Sequence, residues 1–109
     1  MVIVEFIIVP LGEESLSRYV AEVIKLLEGR GIKYQLTPMS TIIEVPTVRD
    51  ALDVIGETHE LMFKMGAKRV STTIRIDDRR DKERHMEDKV KSVMEKVRGD
   101  RHQGSRSGD

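Results

Sequence analysis

The first strand constrains this chain more than any other feature. Residues 2–9, Val-Ile-Val-Glu-Phe-Ile-Ile-Val, are β-branched or aromatic except for Glu5, and they stop at Pro10-Leu11-Gly12. Such a run predicts a β-strand ending in a loop. Side chains alternate along a strand, so Val2, Val4, Phe6 and Ile8 share one face while Ile3, Ile7 and Val9 share the other. Both faces are apolar. The sheet that holds this strand therefore needs a cover on each side.

The rest of the chain supplies one layer of that cover. From Ser15, the residues Leu16, Val20, Val23, Ile24 and Leu27 recur at helical spacing, closed by Gly29 and Gly31. Glu13 and Glu14 precede this helix, where its positive end favours them. Two strands, 32–37 and 40–45, flank Pro38, which lacks an amide donor and belongs at an edge, a bulge or a turn. Thr47 is placed to cap a second helix carrying Val48, Ala51, Leu52, Ile55, Met62 and Met65, stopped by Gly66. From Lys68 to Asp77, Val70, Thr72, Ile74 and Ile76 alternate with Arg69, Ser71, Thr73 and Arg75.

The order β-α-β-β-α-β predicts an α+β, ferredoxin-like antiparallel sheet with two helices on one face. A third helix is predicted over 79–98, with Met86, Val90, Val93, Met94 and Val97 on one stripe. It can cover the open sheet face within the subunit or reach across to a neighbour. One amphipathic helix hardly covers four strands, so a homo-oligomer is expected, with small-molecule sites in the clefts between subunits. Residues 1–98 form the single domain, and the polar Gly/Ser-rich residues 99–109 are expected to be a disordered tail.

Composition removes several functions. Charged residues make up 35% of the chain yet cancel to a net charge of zero, so no basic field attracts nucleic acid. Aromatic residues are only 4%, with no Trp, which leaves few platforms for base stacking. There is no Cys for disulfides or thiolate metal sites, as suits a reducing cytoplasm. The apolar start is too short to span a bilayer and lacks a basic leader, so a soluble cytoplasmic protein is expected, with no membrane partner.

The polar cluster around Pro38 is the main candidate site. Thr37, Ser40 and Thr41 bring hydroxyls, Met39 a thioether and Glu44 a carboxylate. The cluster is either an ordinary polar turn or a set of donors and acceptors beside an apolar wall. Glu5 and Glu44 are isolated carboxylates among apolar residues, and each needs a partner to offset desolvation. That partner is either a ligand amine or an Arg such as Arg75. The loop Pro10 to Ser15 leads into a helix N-terminus, where Ser15 or Ser17 serves either as a cap or as a ligand contact. The charge run Asp77 to Lys82 is read as a solvated turn. His59 falls beside the apolar stripe of the second helix and is read as a packed histidine. His85 and His102 are read as exposed and without a specific role. No HxxxH or HExxH spacing and no Ser-His-Asp arrangement is present, so no metal, no cofactor and no catalytic residue is expected.

Several segments together resemble one family. They are Val9-Pro10-Leu11-Gly12 with Ser15 to Val20, Tyr34 to Glu44, Gly66 to Val70, and Ile74 to Arg79. Over about residues 2–98 they look like the small thiamine-binding proteins of archaea, bacteria and yeast, which are related to the YkoF thiamine-binding proteins. The resemblance implies a ferredoxin-like subunit assembled as dimers and dimers of dimers. It also implies binding of thiamine or its hydroxymethyl-pyrimidine moiety without a catalytic step. Carried over, its ligand-binding motifs are Thr37, Pro38, Met39, Thr41 and Glu44, and Pro10, Leu11, Gly12, Ser15 and Ser17. Val45-Pro46 follows Glu44 where that family often has Gly, which puts the entry to the second helix in question. Two other readings stand beside this one: a regulatory or scaffold homo-oligomer without a small ligand, and an RNA-binding module on the same β-α-β-β-α-β frame.

Overall fold

The computed structural model of the protein describes residues 1–102. Its elements are β1 (Val2–Pro10), α1 (Ser17–Gly29), β2 (Lys33–Leu36), β3 (Thr41–Val45), α2 (Val48–Lys64), β4 (Val70–Asp78) and α3 (Met86–His102). The four strands form one antiparallel sheet in the order β2-β3-β1-β4. This is the ferredoxin-like α+β arrangement with an added C-terminal helix. No helix among the described residues is long and apolar enough to cross a membrane.

Alternation along β1 sets the layers. Val2, Val4 and Phe6 lie opposite Val45, Ile43 and Thr41 of β3 and are nearly inaccessible. They meet Tyr19, Val23 and Leu27 of α1, and Ala51, Val54, Ile55 and Met62 of α2. These helical positions are spaced three or four apart, which points one stripe of each helix at the sheet. Tyr19 was not on the predicted stripe of α1. It fits the core by donating its hydroxyl to Glu13 at 2.8 Å. The other edge of that stripe, Leu16 and Val20, turns away from the core toward the recess described below.

Helix ends follow their local chemistry. Thr47 caps α2, its side-chain oxygen accepting the Asp50 amide at 3.1 Å. Helix α1 starts at Ser17 rather than Ser15, and neither serine caps it; the two hydroxyls lie 3.2 Å apart instead. Gly12 closes the β1–α1 loop with φ of 88°, a left-handed conformation that any other residue adopts only with strain.

Helix α3 differs most from its predicted span. Residues 79–85 are not helical; there Arg79 pairs with Asp81 and Arg80 with Asp78, each two residues away rather than at helical spacing. The helix begins at Met86, with Asp88 accepting the His85 amide at 2.9 Å. It then runs to His102, so the expected tail is helical at its start, and residues 103–109 lie outside the described residues. Only its first turn is seated on the sheet. Met86 is buried, while Val90, Val93 and Met94 are 57%, 59% and 41% exposed. The open face of the sheet, carrying Ile3, Ile7, Val9 and Ile42, is covered at one end only, and Ile7 is 40% exposed.

Candidate functional site

The hairpin joining β2 to β3 is shorter than the strand beside it. Strand β1 is nine residues long, but its pairing with β3 ends at Phe6–Thr41, whereas its pairing with β4 continues to Pro10–Val70. Past Phe6, one side of β1 has no neighbouring strand among the described residues. The gap is a recess of about 340 Å³. Its floor is Phe6 to Val9 of β1, one wall is Leu16, Ser17, Val20 and Val23 of α1, and the other wall is the hairpin from Leu36 to Thr41.

The hairpin tip is held by its own hydroxyls. The Thr37 amide donates to the Ser40 carbonyl at 2.9 Å, which makes Pro38-Met39 a two-residue loop. Pro38 suits this position because its fixed φ is that of a turn and no ladder amide is needed there. Thr37 Oγ1 accepts the amides of Met39 at 3.2 Å and Ser40 at 2.9 Å, and donates to the Ser40 carbonyl at 3.0 Å. Ser40 Oγ donates to Glu5 Oε2 at 2.8 Å. Glu5 thus finds a hydroxyl partner, although Arg75 lies opposite it in the β1–β4 register. Thr37→Val removes the acceptor of two amides and is expected to cost about 1–2 kcal/mol in urea unfolding.

Every side chain lining the recess is uncharged. Ten are apolar, and Ser17, Thr37, Ser40 and Thr41 add hydroxyls. Met39, at the tip, is 82% exposed. An ion placed here would lose water without gaining a charged partner, whereas a flat neutral ring would meet aliphatic walls and a few polar atoms. A second recess, of about 440 Å³, lies at the other end of β1 and contains Arg79, Arg80, Lys82 and Glu83. Its arginines are already paired with Asp81 and Asp78, and Glu83 with the N-terminal amine.

The candidate residues from the sequence divide into three groups. Thr37, Pro38, Met39, Thr41 and Ser17 line the recess. Pro10, Leu11, Gly12 and Ser15 lie in the connection from Val9 to Leu16, both lining residues, without lining it themselves. Glu44 lies elsewhere. It stands on the open face of the sheet with its side chain 2% exposed, 3.0 Å from Lys33 Nζ and 3.2 Å from His85 Nδ1. Its Oε1 accepts the Met86 amide at 2.9 Å, so the carboxylate anchors the start of α3. Burial pushes its pKa up, but Lys33, the Met86 amide and His85 more than offset this, and the carboxyl sits below its ordinary range. His85 therefore has a defined partner, contrary to the sequence reading. His59 Nδ1 lies 2.6 Å from Thr72 Oγ1, as a packed histidine should.

The sequence reading did not pick out Ile7, Ile8, Leu16, Val20 or Leu36 as site residues. Each resembles a core residue in type and spacing. The available signal was length: the first strand reads as eight residues, 2–9, and each hairpin strand as six, 32–37 and 40–45, and the structure widens that difference to nine against four and five.

Together these features define a ferredoxin-like α+β protein with a neutral recess of small-molecule size at one end of its sheet. The chain belongs to the thiamine-binding protein family, whose sequence model matches residues 4–94. It is 50% identical over 99 residues to the UPF0045 protein YqgV of Bacillus subtilis, covering 85% of this chain and 94% of that one. A UPF0045 protein of Staphylococcus xylosus is 48% identical over 99 residues, covering 85% and 92%. Among solved structures, a hypothetical protein of Methanocaldococcus jannaschii superposes with a TM-score of 0.77 at 32% identity, covering 86% of this chain and 96% of that one.

Proposed function

We propose that the protein is a non-catalytic binder of thiamine or its hydroxymethyl-pyrimidine moiety, acting in the cytoplasm as a homo-oligomer and needing no metal or cofactor. The observation that carries this reading is the uncharged recess between β1, α1 and the Pro38 hairpin, in a chain of the thiamine-binding family. Thr37, Pro38, Met39, Thr41 and Ser17 supply its rim and polar atoms, and the segment from Pro10 to Ser15 connects two of its lining residues, Val9 and Leu16. Calorimetry and thermal shift test it. A ligand that binds only the folded state raises the melting temperature by mass action, so thiamine or the free pyrimidine alcohol should stabilise the protein and unrelated vitamins should not. No heat and no shift with either compound would overturn the reading.

Self-association is supported by three unpartnered surfaces. Among the described residues the outer edge of β4 has no strand beside it, and Ile74 and Ile76 of β4 are 37% and 40% exposed, as are Leu52 and Phe63 of α2 at 47% and 41%. The open sheet face and the stripe of α3 are the other two. Long apolar edges in natural proteins are normally paired or covered. Ile74→Lys with Ile76→Lys is expected to lower the subunit count seen by analytical ultracentrifugation, while leaving the circular dichroism spectrum intact. The same surfaces favour the scaffold reading if no ligand is found. The open face carries no aromatic side chain among the described residues, and Phe6 is buried on the helix side, so bases have nothing to stack on.

A further inference from the structure

The hydrogen-bond phase of β1 identifies which main-chain groups open onto the recess. The Leu11 amide donates to the Arg69 carbonyl directly opposite it, at 2.8 Å. Backbone groups alternate sides along a strand, so Ile7 and Val9 also bond toward β4, while Phe6, Ile8 and Pro10 face the β3 side. Pro10 therefore deprives β4 of nothing. Phe6 is taken up by Thr41. Extending that register by two residues, Ile8 would face Met39, but Met39 is in the turn and its amide is already given to Thr37 Oγ1. Among the described residues no turn or loop bond takes up the amide or carbonyl of Ile8.

A donor and an acceptor from one residue thus point the same way, into a space whose side chains are all neutral. In a sheet this pair would bind the carbonyl and amide of the next strand. A ring with a nitrogen acceptor beside an exocyclic amino donor presents the same pattern. We propose that the main chain of Ile8 is the specificity-determining element of the recess: its N–H donates to a ring nitrogen, and its carbonyl accepts from the adjacent amino group. Val20 and Leu36 flank the ring faces. This rests on the function proposed above and adds that the part of the ligand that enters the recess is its amino-substituted, uncharged ring, so that the cationic thiazolium of thiamine stays outside. Phosphate groups on a ligand would stay outside and add no affinity.

The test uses isotope-labelled full-length protein, with the hydroxymethyl-pyrimidine as probe and two comparisons: the same ring with hydrogen in place of the amino group, and thiamine against its diphosphate. On addition of the aminopyrimidine, the Ile8 amide resonance should move and its exchange with solvent should slow. The ring lacking the amino group should bind about tenfold to a hundredfold more weakly, because it leaves the carbonyl of Ile8 unpaired. Thiamine diphosphate should bind no tighter than thiamine. If the aminopyrimidine binds while the Ile8 amide is silent, if the two rings bind equally, or if the diphosphate binds more tightly, this assignment fails and the proposed function stands. If neither the aminopyrimidine nor thiamine binds, both fail together.

Discussion

Val20→Trp is expected to weaken thiamine binding by at least about a hundredfold, roughly 2.7 kcal/mol, in calorimetry. Val20 is half-buried on α1 and projects into the recess, whose volume is about 340 Å³. An indole there would occupy the space between α1 and the hairpin that a ring needs. The recess is open, so the larger side chain need not force its way into the close-packed core of Val23, Leu27 and Phe6. The melting temperature of the free protein should therefore change little, and that separates a blocked site from a damaged fold. A variant that still binds thiamine with native affinity would move the site elsewhere on the molecule.

Glu44→Ala is expected to release α3 while leaving the sheet and the first two helices folded. The substitution removes the acceptor of the Met86 amide and the partner of Lys33 and His85. Losing a side-chain cap alone costs about 1–2 kcal/mol. Helix α3 has little else to hold it: beyond the Lys33–Glu87 and Lys89–Asp77 pairs its apolar stripe is exposed, and an isolated helix of this length is marginal in water. Far-ultraviolet circular dichroism should lose about a third of the helical signal, since α3 has 17 residues against 13 and 17 in α1 and α2. Glu44→Gln keeps an oxygen acceptor and should show a smaller loss. Both variants should bind thiamine as the unmodified protein does, because Glu44 does not line the recess.

Acid should reproduce the Glu44→Ala effect. The Glu44 carboxyl titrates below its ordinary value in the folded protein. Its contribution is therefore complete above the ordinary glutamate range and is lost as pH falls through that range toward the lower folded value. Helical signal from α3 should fade in that acid window in the native protein, and Glu44→Gln should flatten the response. A pH profile identical in the two proteins would assign the anchoring of α3 to other groups.

The sheet and its two packed helices were legible because their signals are local. The alternation of β1 and β4, the stripes of α1 and α2, and the Thr47 cap each depend on neighbours in sequence. The start of α3 was not legible, because Arg79, Arg80, Asp78 and Asp81 have side chains suited to a helix surface yet pair across two residues. Glu44 shows the deeper limit. A carboxylate among apolar strand residues announces that it has a partner, but not that the partner is an amide 42 positions away. The candidate site was half legible for the same reason. Hydroxyls and Pro38 mark the hairpin, whereas Ile8 matters for a main-chain vacancy that no side chain records.

That vacancy makes the length of the hairpin a heritable variable in its own right. Inserting one residue on each side of Pro38-Met39 would let β3 run on beside Ile8, zip the exposed stretch of β1 and erase the recess without altering a single residue that lines it. Among proteins of this shape, capacity for a small guest should therefore follow a count of residues between two strands more closely than it follows the identity of any one of them.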